Sequence, residues 1–439
     1  MAQWRTDEYD FKRPHNVHLY ELNMTADIYG NPIDGSNPQG MAVDAFGRAR
    51  ASQPLTLFDS AHRYRDNGRI TQANSASGAV STHNANAGLI ECILDTTANS
   101  FLYRESSRVF AYQPGKSLQI LQTYVMSPHK ENLRQRYGYF STTNGVFLEQ
   151  DDNGICWVER STSSGTGVTE TRVYQQDWSH DKLDGKGPSR FTLDLSKAQI
   201  QFIDIEWLGL GTVRCGFVIN AKLIHCHSFH HANIIESTYM ATACLPVRAE
   251  IENTGTTSSN STLKIVCASV ISEGGYELRG RSRSVSLPIT SPKDIPTAGT
   301  FVPIISIRVK DLYSDAIVIP TDVEFFGVSN NTKYRYKIVV GGTLTGASWQ
   351  DVDTNESSVE YDVTATGITG GRDFQTGYVN IAAGAGGTTI NLSGDNLFAY
   401  QLERNSFLAN NRGIPFSLVA TGAANGDDAL GAIAFEEIT

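Results

Sequence analysis

The sequence lacks any long hydrophobic run. A membrane-spanning helix needs roughly 20 apolar residues, whereas the most apolar stretches, residues 316–320 and 431–435, have only the length of a strand. The first residues, MAQWRTDEYDFKRPH, interrupt every apolar pair with charge and are not typical of a secretory signal or a targeting helix. We therefore expect a soluble chain without a membrane span, folded in the cytoplasm where it is made.

Cysteine and charge are also sparse. Six cysteines are spread over 439 residues without a C-x-x-C pair, and none follows Cys267. This spacing does not favour a disulfide scaffold or a zinc ribbon, so we expect buried free thiols. Charged residues make up 19% of the chain, and the formal net charge is −10. Because an acidic protein repels phosphate backbones and anionic lipids, nucleic acid is not expected as a partner.

Glycine is abundant, with 39 residues, and short runs with a period of two recur along the chain. Residues 145–150 and 155–160 flank Asp-Asp-Asn-Gly and predict a hairpin, in which Asn-Gly supplies the positive φ of a tight turn. Further strands are predicted at residues 118–126, 170–175, 199–207, 212–219, 222–229, 244–253, 262–270, 301–310, 316–319, 322–327, 334–340, 357–363, 377–382, 388–392 and 415–421.

These strands predict an all-β protein with two antiparallel sandwiches. A jelly-roll domain is expected at residues 51–290, and a second, smaller β-sandwich at 297–439, with a linker at 291–296. Residues 1–50 have no sustained periodicity and contain stacked turn formers, which predicts an extended N-terminal arm. An arm of this kind needs a partner to hold it, and a neighbouring subunit is the simplest one.

Two acids, Asp204 and Glu206, are the sharpest candidates for catalysis. Alternation places both on one face of a predicted strand, and retaining glycosidases use two carboxylates about 5–5.5 Å apart. A family of jelly-roll glucanases carries Glu-x-Asp-x-Glu on such a strand, and this segment resembles it except that Phe202 replaces the first Glu. Since that position carries the nucleophile, we predict no catalytic residues. Glycan binding needs only aromatic platforms and a polar rim, so it stays compatible with this face.

A histidine cluster is the candidate metal site. His225 and His227 fall on one face of a predicted strand, with His231 close in sequence, and two such imidazoles can chelate zinc. No acid or thiolate is spaced to complete a tetrahedron, and hydrogen-bonded or surface histidines fit the pattern equally. We therefore predict no metal and no cofactor, with His225 and His227 as the weak candidate ligands. Residues 177–185 lack the alternating carboxylates of a calcium loop and are predicted to be a turn.

Nine short motifs are distributed along the chain: TLFDS (56–60), HRY (62–64), RES (104–106), RVF (108–110), YQPGKS (112–117), NLRQR (132–136), IEWLG-x-G (205–211), ISEGGY (271–276) and GTLTGASW (342–349). Together they resemble virion structural proteins of tailed bacteriophages, especially those of marine and cyanobacterial phages. The resemblance implies a concanavalin A-like or laminin-G-like jelly roll in the central region. It also implies a place in the particle, and it carries no catalytic residues to transfer.

From the resemblance and the absence of a signal we expect a non-enzymatic virion protein that assembles in the host bacterial cytoplasm and lies on the particle exterior. The first expectation is a tail, baseplate or fibre-associated component. It would be anchored to other virion proteins by its N-terminal arm, form a homo-oligomer, with a trimer favoured, and contact a host-surface glycan. A capsid-decorating head protein is the alternative. A polysaccharide-degrading enzyme is the third reading, disfavoured by Phe202.

Overall fold

Short strands separated by polar turns form antiparallel sheets throughout the described chain. The computed structural model describes residues 53–67, 70–74, 78–277, 279–313, 315–329, 332–381, 386–391, 400–408, 410 and 412–438. Within these residues there is no α-helix, and two 3₁₀ turns lie at Gln175–Asp177 and Asp311–Tyr313. The predicted all-β class with antiparallel sandwiches is therefore confirmed. The predicted arm at residues 1–50 lies outside the described residues.

The strands are numbered in chain order. Strands β1 to β15 are Leu55–Ala61, Ile70–Asn74, Ala79–Asn84, Leu89–Leu94, Phe101–Ser106, Leu118–Val125, Leu133–Phe140, Gly145–Asp151, Gly154–Ser161, Thr169–Tyr174, Gln199–Ile205, Val213–Ile219, Lys222–Phe229, Val247–Asn253 and Ser261–Ser272. Strands β16 to β28 are Arg281–Ser286, Lys293–Ile295, Val302–Val309, Ile317–Gly327, Lys333–Val340, Thr343–Thr345, Gln350–Asp351, Val359–Asp362, Gly367–Thr369, Arg372–Asn380, Gly386–Asn391, Phe416–Gly422 and Asp427–Ile438.

Strands β1 to β15 build the first sandwich, a jelly roll. Its front sheet has the order β13-β12-β11-β6-β15-β4-β3, with β1 also paired to β15, and its back sheet has the order β10-β9-β8-β7-β14-β5-β2. Alternation in β6 turns Leu118, Ile120 and Tyr124 into the space between the sheets, where each is at most 1% exposed. Trp157 of β9, in the back sheet, belongs to the same hydrophobic core.

Strands β16 to β28 build the second sandwich. One sheet has the order β16-β28-β19-β26, with β17 also paired to β28, and the other has the order β22-β23-β18-β27-β20-β25. Strands β21 and β24 form a separate two-stranded ladder. Because β16 and β17 both pair with β28, the chain has entered the second sandwich by Arg281, earlier than the linker predicted at residues 291–296. That predicted linker contains β17 itself.

The two sandwiches are fastened to one another by residues 400–408, which we call the connecting segment. The Arg404 N–H donates to the Ser107 carbonyl at 2.9 Å, and Gln401 Nε2 donates to the Val109 carbonyl at 3.1 Å. A small apolar cluster closes the junction and consists of Val109, Ala111, Tyr276, Ile317 and Ile319. Backbone and side-chain contacts together therefore fix the second sandwich against the first.

Buried ion pairs cover the face of the back sheet that is turned away from the core. Arg136 contacts Glu149 and lies 3.0 Å from Glu250, while Arg248 contacts Glu105 and lies 2.6 Å from Glu250. These five side chains are between 0 and 8% exposed. Each charge has an opposite partner on a neighbouring strand, which offsets the large cost of taking ions out of water.

Candidate functional site: a cleft between the two sandwiches

A cleft of about 650 Å³ lies where the two sandwiches meet. Known small-molecule sites have volumes of about 300–1,000 Å³ and combine apolar walls with a few polar groups. The first sandwich contributes Ala111, Tyr112, Pro114, Trp207, Ala241, Thr242, Ala243 and Cys244 to the lining. The second sandwich contributes Arg281, Tyr313, Asp315, Ala316, Ile317, Asn355, Glu356, Ser357, Ser358 and Ile438.

Two aromatic rings form one wall of the cleft. The rings of Tyr112 and Trp207 meet edge to face, with centroids 5.4 Å apart and an interplanar angle of 80°. The Tyr112 hydroxyl accepts a hydrogen bond from the Leu208 N–H at 3.1 Å, which fixes the ring. Trp207 Nε1 is buried without a hydrogen-bond partner among the described residues. A buried donor without an acceptor costs stability and calls for an explanation beyond packing.

The loop at residues 206–211 holds Trp207 in place. The Trp207 carbonyl accepts from the Leu210 N–H at 2.9 Å and from the Gly211 N–H at 2.7 Å, which closes a tight turn. A Cβ on Gly211 would lie 1.8 Å from the Glu206 carbonyl oxygen, so the turn requires glycine there. Leu208 adopts φ +40°, an uncommon conformation for a bulky side chain, and is 57% exposed. Such strain persists only where the surroundings fix the backbone.

The second sandwich supplies a polar rim opposite these rings. Arg281 lies 3.4 Å from Glu356, and the exposed Asp315 lines the same cleft. The N–H of Ser358, another lining residue, donates to the buried Glu437 carboxylate at 2.9 Å. The first sandwich therefore gives the cleft an aromatic surface, and the second sandwich gives it polar groups that can form hydrogen bonds.

The two predicted acids do not alternate along one strand. Strand β11 ends at Ile205, two residues earlier than predicted, so Asp204 is in the strand and Glu206 is in the exposed loop that follows. Glu206 accepts a hydrogen bond from the Thr212 N–H at 3.3 Å. Phe202, at the position of the glucanase nucleophile, is buried with its ring against Gly216.

Asp204 itself is engaged in an ion pair. Its Oδ2 lies 2.5 Å from Arg214 Nη2, whereas its Oδ1 is buried without a hydrogen-bond partner among the described residues. Burial raises the pKa of Asp204 to about 6, against the opposing effect of the Arg214 charge. One oxygen of this carboxylate is thus paired with a guanidinium on the neighbouring strand β12.

His225 and His227 are held by hydrogen bonds to nearby chain. Cys215 pairs with His227 and Gly216 with His225, so Cys226 is an extra residue at a bulge, and it is fully buried. His227 Nδ1 accepts a hydrogen bond from the Ser179 N–H at 3.2 Å. The His225 ring stacks on the ring of His180, with centroids 4.1 Å apart. Burial lowers the pKa of His225 and of His227 to about 4, so both rings are neutral at pH 7.

His231 does not join this pair. Its Nε2 lies 2.8 Å from Glu159 Oε2, its Nδ1 contacts the Gly211 carbonyl, and its ring stacks on Tyr239 at 4.0 Å. Burial acts to lower the pKa of His231, but the hydrogen bond and charge of Glu159 outweigh it and raise the pKa. Among the described residues, no group of three or more His, Cys, Asp or Glu side chains is placed to hold a metal ion.

The predicted turn at residues 177–185 is held by aspartate side chains. Asp181 is 5% exposed and accepts the Leu183 N–H at 2.9 Å and the Ser189 N–H at 2.7 Å. Asp184 accepts the Lys186 N–H at 2.8 Å. These carboxylates bind backbone amides within their own loop, as aspartate commonly does in turns.

Sequence reasoning did not find the cleft, because its residues come from both sandwiches. The motif around Trp207 carried the available signal, since two glycines after an aromatic residue mark a tight turn. That Tyr112 and Asp315 line one cleft depends on the packing of the two sandwiches. Within the described residues no helix is long and apolar enough to cross a membrane.

No protein-family profile matches the sequence, and no curated protein matches it either. Among solved structures, the carbohydrate recognition domain of Emp47p is 10% identical, with a TM-score of 0.31, over 53% of this chain and 99% of that one. Arcelin-5, a lectin-like defense protein from Phaseolus vulgaris, is 9% identical, with a TM-score of 0.29, over 51% of this chain and 99% of that one.

A third similar structure is the CBM2 module of an evolved Dit from Lactobacillus casei BL23 phage J-1. It is 6% identical, with a TM-score of 0.34, over 52% of this chain and 100% of that one. These likenesses are too distant to transfer what any of those proteins binds or does.

Proposed function

We propose that this chain is a non-enzymatic structural component of a tailed-phage virion that contacts host-surface glycan through the cleft beside Trp207. The observation that carries the glycan role is the cleft itself, with the Tyr112 and Trp207 rings on one side and the Arg281 and Glu356 pair on the other. Sugar rings present C–H faces to aromatic rings and hydroxyls to polar groups, so they match both sides of this cleft.

The virion role rests on the sequence motifs that resemble phage structural proteins, including the loop that holds Trp207. In the particle the chain is a homo-oligomer, with a trimer favoured, placed on the exterior of the tail, baseplate or fibre apparatus and anchored by residues 1–50. The enzyme alternative is disfavoured because Phe202 occupies the nucleophile position and Asp204 is committed to Arg214.

The test is a phage whose genome encodes Trp207→Ala, with Trp349→Ala as the matched control. Trp349 is also half-buried, but it packs on Arg308 at 4.0 Å, away from the lining of the cleft. We expect Trp207→Ala particles to contain the chain at the normal level and to adsorb to host cells at least tenfold more slowly. Trp349→Ala particles should adsorb normally.

Two readouts separate the parts of the proposal. If immunolabelling and mass spectrometry of purified wild-type particles do not find the chain, the virion role is wrong. If the chain is present and Trp207→Ala particles adsorb normally, the cleft is not the glycan site. A cryomicroscopy reconstruction then decides between a tail or baseplate position and the capsid lattice, which is the position expected for a head-decorating protein.

A further inference from the structure

A row of cationic side chains lies on the outer face of the second sandwich. Strand β20 reads Lys-Tyr-Arg-Tyr-Lys from Lys333 to Lys337, and alternation separates the two kinds of side chain. Tyr334 and Tyr336 are buried in the core of the sandwich. Lys333, Arg335 and Lys337 therefore share the opposite face, which is turned toward solvent.

Arg335 is placed between two aromatic rings. Its guanidinium carbon lies 5.6 Å from the centroid of Phe301 and 5.7 Å from that of Tyr378. Tyr378 is directly opposite Arg335 in the pairing of β20 with β25, and it is 76% exposed. A large aromatic side chain this exposed on a strand is available to stack against a flat ligand.

Arg335 differs from the buried arginines of the back sheet because it has no acidic partner within the part of the chain that the structure describes. No carboxylate lies within 4.0 Å of it among the described residues. Its Nε is buried without a hydrogen-bond partner there, so an external anion would meet the terminal Nη groups of this half-buried side chain. The nearest ion pair on this face joins Lys337 Nζ to Asp373 Oδ2 at 2.6 Å, and Asp373 is 53% exposed. A guanidinium that is positioned by two rings and left without an anion is suited to an external carboxylate.

We propose that this surface, made of Phe301, Arg335, Lys337 and Tyr378, binds a carboxylate-bearing polysaccharide. A sugar ring stacks on the exposed face of Tyr378, and its carboxylate pairs with Arg335. Lys337 lies over Phe301 at 4.7 Å and shares its charge with Asp373, so Arg335 is the cation that carries the pairing. The whole chain carries a net charge of −10, which opposes any polyanion at long range, so binding has to rest on the local cations of this surface. The surface is separate from the cleft and does not depend on it.

The test is calorimetric titration of the purified full chain with an oligogalacturonate of defined length, using neutral dextran as the comparison. We expect Arg335→Gln and Tyr378→Ala each to weaken oligogalacturonate binding at least tenfold. The matched control is Arg63→Gln, since Arg63 also lies over an exposed ring, that of Tyr64 at 4.9 Å, but on the first sandwich. This control should bind like the wild type. Raising the salt concentration from 0.05 to about 0.5 M should weaken wild-type binding, because exposed charges are screened.

Thermal unfolding of each variant confirms that it is folded before it is titrated. The proposal is overturned if Arg335→Gln binds as tightly as the wild type, or if dextran binds as tightly as oligogalacturonate. It is also overturned if Trp207→Ala abolishes oligogalacturonate binding while Arg335→Gln does not, since the acidic sugar would then occupy the cleft. Retained binding in Trp207→Ala supports two separate sites.

Discussion

Replacing Arg248 by methionine tests how much the buried ion pairs of the back sheet contribute to stability. Arg248 is 2% exposed and contacts two carboxylates, Glu105 and Glu250, which are 2% and 5% exposed. Methionine keeps most of the length of the side chain and removes the charge. The substitution therefore leaves two buried carboxylates with one cation fewer between them.

Removal of one partner from a buried ion pair typically costs about 3–5 kcal/mol. Two remaining contacts place this variant at the lower end of that range. Glu250 keeps Arg136 at 3.0 Å, and Glu105 keeps Arg404 at 3.5 Å. We therefore expect Arg248→Met to lower the free energy of unfolding by about 3 kcal/mol at pH 7.

The loss should depend on pH in a definite direction. Burial acts to raise the pKa of Glu250, but Arg248 and Arg136 outweigh it and lower the pKa below the ordinary value of 4.5. A carboxyl whose folded pKa is depressed contributes stability above its unfolded pKa and loses it as the pH falls. The difference between wild type and Arg248→Met should therefore be largest above pH 5 and shrink as the pH falls below about 4.5.

Urea unfolding at pH 7 and pH 4 measures both the loss in free energy of unfolding and its dependence on pH. The control is Arg279→Met, since Arg279 is 78% exposed and pairs with an exposed Glu277, and surface ion pairs are worth about 0–1 kcal/mol. If Arg248→Met costs less than about 1 kcal/mol, or no more than this control, then the buried pairs do not stabilise the sheet in the way argued above.

Two further predictions concern strands β12 and β13 of the front sheet. His227→Gln should flatten the fall in stability between about pH 6.5 and pH 4. The folded pKa of His227, about 4, lies below its unfolded value of 6.5, so protonation favours unfolding there by about 2–3 kcal/mol. An unchanged slope in urea midpoints would contradict this. Gly216→Ala should destabilise strongly, because its Cβ would lie 2.1 Å from the Ile224 carbonyl oxygen and 2.7 Å from the Phe202 ring. Gly367→Ala, whose Cβ would meet nothing closer than 3.8 Å, should unfold at nearly the wild-type temperature, and equal loss in both variants would refute the steric reasoning.

Strand positions were predictable wherever the period of two was regular. Strand β13 spans the predicted residues 222–229, and β20 begins one residue before the predicted start at Tyr334. The strands predicted at residues 316–319 and 322–327 form one strand, β19, with a register irregularity between Pro320 and Asp322. Proline lacks an N–H and is tolerated at a bulge, so it interrupts the pattern without ending the strand.

The hairpin of β8 and β9 was predicted correctly, but the turn between its strands works differently. Positive φ occurs at Gly154, with +125°, and not at Asn153. The turn is held by the Asp151 carboxylate, which accepts the N–H groups of Asn153 at 2.8 Å and Gly154 at 3.1 Å. An Asn-Gly pair therefore identified the turn, while the side chain that stabilises it could not be read from that pair alone.

At the candidate sites, too, local sequence revealed the strand pattern but not the contacts of the side chains. The Lys-Tyr-Arg-Tyr-Lys pattern of β20 is readable as a strand with cations on one face, and it could have been recognised from alternation. That Arg335 has no carboxylate partner among the described residues could not, because other arginines in similar patterns, such as Arg136, find carboxylates on the next strand. Which cation keeps a partner depends on sheet order, and local sequence does not encode sheet order.

The connecting segment has a consequence for binding kinetics. Its backbone hydrogen bond from Arg404 to Ser107, together with the apolar cluster at the junction, fixes the two walls of the cleft before any ligand arrives. Under the proposed glycan role, walls fixed in this way require no closing step, so association should follow a single exponential whose rate rises linearly with ligand concentration. Selectivity would then be set by the shape of the empty cleft rather than by a movement that follows encounter.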